Sequence, residues 1–238
     1  MPGSENSTVA WQPNILIVEF LLPGMNIIKV DPENMRASLY GLQKAAEFIL
    51  RGGVVVVPTD TVYGLAADAT NPDAVMRLFR IKKRPHTKPV PVIIRDMEMA
   101  KNLAYIDKRL ERILNLVWPG AITIILQKKA DLPELVTAGK RTIGLRLPDY
   151  KMIHYLLETV AKPMTATSAN ISGEEPSIDA EEVAGQFRKE FYRPDLILDA
   201  GKLKFSEPST VLDLAAPEPK IIRIGPVNPK KLMEILSV

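Results

Sequence analysis

The chain has 238 residues, of which 46% are hydrophobic and 25% charged, with a formal net charge of +3. These are the proportions of an ordinary globular protein long enough to bury a sizeable core, and the mild positive charge admits an anionic ligand without marking a nucleic-acid-coating protein. With no cysteine and only two histidines, His86 and His154, the sequence excludes disulfides, zinc–thiolate and iron–sulfur sites, a cysteine nucleophile and a multi-histidine metal centre. Any metal is then a hard cation such as magnesium, held mostly by substrate phosphates.

Residues 15–22 are apolar apart from Glu19. They are too few to span a bilayer, no basic region precedes them, and Pro13 and Pro23 bracket them, so neither a membrane segment nor a signal peptide is expected. Residues 1–24 are set apart as an N-terminal extension, residues 25–238 are taken as one α/β domain, and a cytoplasmic location is the expectation. Residues 25–30 read as an edge strand. Residues 32–51 carry Leu39, Leu42, Ala45, Ala46, Ile49 and Leu50 at helical spacing, and Gly52-Gly53 ends that helix before a strand at 54–57. Asn71-Pro72-Asp73 opens a second helix with Ala74, Val75, Leu78 and Phe79 on one face.

Further along, 91–94 reads as a strand and 96–102 and 107–117 as helices. Trp118-Pro119-Gly120 breaks the chain before a strand at 121–127, and another strand at 142–146 ends at Pro148. A helix at 150–160, a short strand near Met164, a helix at 178–190, strands at 196–199, 210–213 and 221–224, and a last helix from Asn228-Pro229 to Leu236 complete the reading. Helices and strands interleave with no internal repeat, which predicts an α/β architecture with one large mixed sheet.

The chemistry gathers in separated segments. Pro58-Thr59-Asp60-Thr61-Val62-Tyr63-Gly64-Leu65 leaves the carboxyl end of an apolar strand, where open α/β sheets place ligands. It carries more hydrogen-bonding capacity than a plain turn needs. Lys82, Lys83, Arg84 and Lys88 follow a helix, with Pro85 and Pro89 restricting the backbone that carries them. Arginine and lysine in that pattern suit phosphate, although a solvated helix end explains the cluster about as well on its own.

Thr165-Ala166-Thr167-Ser168-Ala169-Asn170 combines small residues, which let a ligand approach the backbone, with polar groups for phosphate or sugar. Arg146 lies inside apolar Ile143-Gly144-Leu145-Arg146-Leu147-Pro148, where burial is costly without an anion. Asp149 or Asp199 would be a structural partner, and a substrate carboxylate is the sharper alternative. Glu207-Pro208-Ser209-Thr210 and Arg223 repeat this placement of a polar group at the edge of an apolar strand. The sequence contains no Walker A, Gly-x-Gly-x-x-Gly or Gly-x-Ser-x-Gly pattern. His154 reads as packed or surface-exposed, and His86 as solvent-exposed.

Taken in order, the 58–65 segment, Lys82-x-Arg84, Trp118-Pro119-Gly120, Ser168-Ala169-Asn170, Pro208-Ser209-Thr210 and Arg223-x-Gly225 resemble the Sua5/YrdC/YciO family of threonylcarbamoyl-AMP synthases. The resemblance runs from about Ile27 to the C-terminus. It implies a single YrdC-like domain over 25–238, in the short form, with a large twisted mixed sheet, flanking helices and a basic concave cavity. It also implies a nucleotidyltransferase reaction in which L-threonine, bicarbonate or carbon dioxide, and ATP give threonylcarbamoyl-AMP and diphosphate. A separate tRNA threonylcarbamoyl transferase would then modify adenosine 37 of tRNAs reading codons that begin with A.

By the family pattern, Arg84, Lys88, Thr142, the backbone at Ala166, Ser168, Ser177 and Arg223 hold ATP. Lys82 and Asn170 complete the ATP-side motif. Thr61, Arg146 and Ser209 hold threonine, with Tyr63 shaping that end and Arg146 taking the carboxylate. ATP is a substrate and no permanently bound cofactor is implied; magnesium would come with the ATP phosphates, without protein side-chain ligands. No covalent nucleophile is expected, because proximity and charge neutralisation can carry such a transfer. Some longer relatives carry a histidine where this chain has Val92-Ile93-Ile94, so a role for that histidine does not transfer. Two alternatives stand beside this reading. One is an enzyme using another carbamoyl-type donor, since similar domains occur in hydrogenase maturation proteins. The other is an RNA-binding module holding structured RNA weakly in its basic cavity.

Overall fold

The computed structural model describes residues 7–12, 15–22, 25–204 and 207–236, the first two stretches by their backbone alone. In chain order the first elements are β1 (Ser7–Gln12), β2 (Ile15–Leu22), β3 (Met25–Lys29), α1 (Met35–Leu50), β4 (Val55–Val57), β5 (Gly64–Ala66), α2 (Pro72–Lys82) and β6 (Val92–Ile93). There follow α3 (Met97–Leu103), α4 (Lys108–Val117), β7 (Ile122–Gln127), α5 (Glu134–Thr137), β8 (Thr142–Arg146) and α6 (Lys151–Val160). The chain closes with β9 (Met164–Thr165), β10 (Thr167–Ser168), α7 (Ala180–Phe187), β11 (Leu196–Asp199), β12 (Thr210–Asp213), β13 (Lys220–Arg223) and α8 (Pro229–Leu236).

The strands form two mixed sheets, where the sequence suggested one. The first has the order β1-β2-β3-β11-β4-β5-β10 and the second β13-β12-β7-β8-β6-β9. The division escapes a pattern reading because one short run supplies both sheets. β9 pairs with β6 in the second sheet, and two residues on β10 pairs with β5 in the first. Ala166, between them, donates its N–H to Pro91 O at 2.7 Å and pins this crossover.

β3 is not an edge strand, because it pairs with β11 in parallel and with β2 in antiparallel fashion. Residues within the 1–24 segment thus extend the first sheet through β2, while Pro13 and Pro23 lie outside the described residues. β5 and the single-turn α5 are elements the sequence reading did not separate from their loops.

The apolar runs in β4 and β11 are buried on both faces, as strands covered from two sides require. Val55, Val57, Leu196 and Leu198 pack with α1 and α6, whereas Val54, Val56 and Ile197 face the cluster containing α2 and α7. Capping follows sequence chemistry. Asn34 accepts Ala37 N–H to start α1, and Asn71 accepts the N–H groups of Asp73 and Ala74 to start α2, with Pro72 in its first turn. α2 ends at Lys83 with φ of 51°, a left-handed cap. That turn separates three adjacent cations. Lys82 is buried, Lys83 reaches outward to Glu190, and Arg84 faces a cavity between the sheets.

Candidate functional site

A cavity of about 730 Å³ opens where the 58–65 loop and β10 of the first sheet meet the exposed face of the second. Alternation along β7, β8 and β12 sends every second side chain into it. Thr123 and Ile125 therefore line it beside Thr142, Gly144 and Arg146, with Val211 and Asp213 on the neighbouring strand. Arg84, Lys88, Lys140 and Arg223 also line it, so the wall is rich in cations.

Arg146 is the most constrained of these. It and Asp60 form an ion pair at 2.5 Å, with side-chain exposures of 7% and 11%. Its Nε donates to Gly120 O at 3.2 Å and its Nη1 to Thr61 Oγ1 at 3.2 Å. Burial pushes the guanidinium pKa down, and the Asp60 charge and hydrogen bond oppose that shift. The structural partner is thus Asp60, not Asp149 or Asp199. Proximity in sequence pointed to Asp149, but its own N–H instead faces Asp60 Oδ2 at 3.4 Å. Of the five N–H donors of a guanidinium, these contacts engage three and leave two.

Thr59 organises the loop that carries Asp60 and Thr61. Its hydroxyl donates to Val62 O at 2.7 Å and accepts the N–H of Thr61 at 3.1 Å. Thr61 is buried at the cavity wall. Tyr63 also lines the cavity, but its hydroxyl turns away, donating to Gly201 O at 2.7 Å and accepting Ala200 N–H at 2.9 Å. Burial pushes that phenol well above its ordinary value.

The Ser168 segment is braced from behind. Lys82, 3% exposed, donates to Ser168 O at 2.6 Å, Asn170 O at 3.0 Å and Asn170 Oδ1 at 2.8 Å. Burial, with the like charge of Arg84, pushes Lys82 down to about 7, while these three oxygens favour its charged form. Ser168 Oγ donates to Asn170 Oδ1 at 2.6 Å. The structure therefore brings Ser168 to the wall and places Lys82 and Asn170 behind it. Ser177 is also outside the lining. Its hydroxyl donates to Glu182 Oε2 at 2.6 Å, and its carbonyl accepts Tyr63 N–H. The N–H of Ala166 is taken by Pro91 O, although the residue lines the cavity.

On the opposite wall, Arg223 donates from Nε and Nη2 to Ser209 O at 3.0 and 2.7 Å. The hydroxyls of Ser209 and Thr123 lie 2.9 Å apart. Partial burial, then the charge of Arg146, lowers the Arg223 pKa. Gly225 is required here, since a Cβ would collide with Pro208 O and come within 2.6 Å of Thr210 N. Arg84 is held by its own loop, donating to Lys88 O at 3.0 Å and Pro89 O at 2.7 Å, and burial lowers its pKa.

Thr123, Lys140 and Asp213 line the cavity without having been singled out in the sequence. A threonine in the buried run Ile122-Thr123-Ile124 was the one available signal; the other two carried none. His86 is exposed, edge-on to Phe79 at 5.7 Å between ring centroids. Among the described residues no helix is long and apolar enough to cross a membrane, and no group of three or more acidic, histidine or cysteine side chains could hold a metal ion.

The Sua5/YciO/YrdC family model (described as "Telomere recombination") matches residues 47–225. Threonylcarbamoyl-AMP synthase of Pyrococcus abyssi is 33% identical over 203 residues, covering 85% of this chain and 59% of that protein. The crystal structure of P. abyssi Sua5 complexed with L-threonine superposes with a TM-score of 0.82 at 33% identity, over 88% of this chain and 60% of that one. The chain thus spans about 60% of the length of that relative. The uncharacterized protein YciO of Escherichia coli K12 is 31% identical over 84% of this chain and 96% of its own length. The E. coli YciO crystal structure gives a TM-score of 0.76, covering 87% of this chain and 98% of that one.

Proposed function

The chain belongs to the Sua5/YciO/YrdC family, and from that premise we propose that it is an L-threonylcarbamoyladenylate synthase. One observation carries the reading. A buried arginine, held in place yet keeping two N–H donors, shares a cavity wall with Thr61, Ser209 and a set of further cations.

The reaction fits those groups step by step. The threonine carboxylate takes the two remaining donors of Arg146, and Thr61 and Ser209 supply hydroxyls beside it. Bicarbonate and the threonine amine condense to a carbamate with loss of water. A carbamate oxygen then attacks the α-phosphorus of ATP, forming one P–O bond as the bond to the β-phosphate oxygen breaks and diphosphate leaves. Arg84, Lys88 and Arg223 offset the charge on the phosphates, with Ser168 and Thr142 beside them. Positioning and charge do this work, and no side chain forms a covalent intermediate.

Magnesium would enter with the triphosphate and neutralise part of its charge. Lys82, Asn170 and Ser177 act on this reading by holding the wall, not by touching ATP. The product would pass to a separate tRNA threonylcarbamoyl transferase in the cytoplasm. The test is diphosphate release from ATP with bicarbonate and each amino acid in turn. L-threonine should drive release and Arg146→Ala should abolish that dependence; release indifferent to the amino acid, or none, would refute the proposal.

A further inference from the structure

Asp213 is the one carboxylate among the residues lining a wall that also carries Arg84, Lys88, Lys140, Arg146 and Arg223. It ends β12, paired across the sheet with Ile125 of β7, which in turn faces Gly144 of β8. Arg146 is two residues further along β8 from Gly144, and Val211 on β12 is level with Thr123. Asp213 is therefore level with Gly144, midway along β8 between Thr142 and Arg146, on a strand separated from Arg146 by β7. Its Oδ1 accepts Ala215 N–H at 2.8 Å, which fixes the carboxylate at the strand end. Asp213 makes no ion pair among the described residues, and its Oδ2 accepts no hydrogen bond there.

We propose that Asp213 is the nucleoside-reading residue of this cavity, accepting hydrogen bonds from the ribose hydroxyls of the bound ATP. The inference rests on the synthase reading for the identity of the nucleotide. Its physical basis is exclusion. A carboxylate directly beside a phosphate is repelled unless a cation bridges the two, so without such a bridge Asp213 favours the hydrogen-bond donors of the nucleoside over the triphosphate. The donors that ATP offers a carboxylate are its ribose hydroxyls and the exocyclic amine. Ile125, Val211 and Ile222 line the cavity around Asp213 and suit the apolar faces of a nucleoside. A fixed carboxylate spans a vicinal diol, and hydrogen bonds to an ionised acceptor are the stronger kind.

The test measures binding of ATP, 2′-deoxy-ATP and 3′-deoxy-ATP to the whole protein by calorimetry, for the wild type and for Asp213→Ala and Asp213→Asn. Wild type should bind ATP about 10- to 100-fold more tightly than the deoxy analogues, the range expected for a hydrogen bond to a charged group. Asp213→Ala should erase that preference, and Asp213→Asn should keep part of it. An unchanged preference in Asp213→Ala overturns the proposal. So does a variant whose only change is the magnesium concentration required, because that would make Asp213 a metal-side group. ATP binding with ribose preference but no threonine-dependent diphosphate would sink the synthase reading alone and support the ribose contact. Failure of the wild type to bind any of the three nucleotides would overturn both.

Discussion

Replacing Asp60 with asparagine isolates the interaction on which the proposed threonine end depends. The Arg146–Asp60 pair is buried to within 7% and 11% side-chain exposure. Asp60→Asn keeps the side-chain volume and removes the charge, leaving the guanidinium with neutral acceptors alone: Gly120 O, Thr61 Oγ1 and the asparagine amide oxygen. Breaking a buried pair from one side typically costs about 3–5 kcal/mol, because an uncompensated charge stays behind. Here the pair borders a cavity that water can enter, so the low end, about 3 kcal/mol, is expected. For a chain of this size each kcal/mol corresponds to about 2–4 °C, giving a fall in Tm of about 6–12 °C.

The assay is thermal unfolding with and without L-threonine. A carboxylate that reaches Arg146 replaces the missing charge, so threonine should raise the Tm of Asp60→Asn by more than that of wild type. Threoninamide, which lacks the carboxylate, should not. A Tm within about 2 °C of wild type would refute the energetic argument. Equal rescue by threoninamide would refute the assignment of the carboxylate to Arg146.

Other outcomes follow from the same geometry. Gly225→Ala should displace the Ser209 strand end, because its Cβ has no space against Pro208 and Thr210; weaker ATP and threonine binding together, by calorimetry, is expected, and unaltered binding of both would contradict it. Tyr63→Phe removes a hydroxyl that bridges Gly201 and Ala200, so urea unfolding should show a loss of about 1–3 kcal/mol. Burial pushes Lys82 down to about 7 in the folded protein, from an ordinary 10.5 in the unfolded chain, so between those values the unfolded chain binds more protons and the Lys82 contribution to stability rises with pH. Below about 7 both states carry the charge and the burial penalty is full. The stability of wild type relative to Lys82→Met should therefore increase from pH 7 toward pH 10; a flat difference would show that the three oxygen acceptors hold the ammonium at its ordinary value.

Local elements were legible in residue order because their signals are local. The strands at 142–146, 196–199 and 210–213 came out with the bounds seen in the structure, and Asn71-Pro72 marked the start of α2, since periodicity and capping depend on neighbours a few residues apart. The segments that would hold a phosphorylated ligand were also visible, as polar groups at the ends of apolar runs. What residue order cannot carry is pairing across distance. Two sheets replaced one because β9 and β10, separated by a single residue, hydrogen-bond to different partners. Arg146 found Asp60, 86 residues away, instead of the nearby Asp149. Lys82 and Arg84, two residues apart, were sent to opposite sides of the wall by a left-handed turn at Lys83. Asp213 became notable only once strand register set it among cations. In each case the chain supplies the chemical group, and the long-range packing decides whether that group braces the wall or faces the cavity.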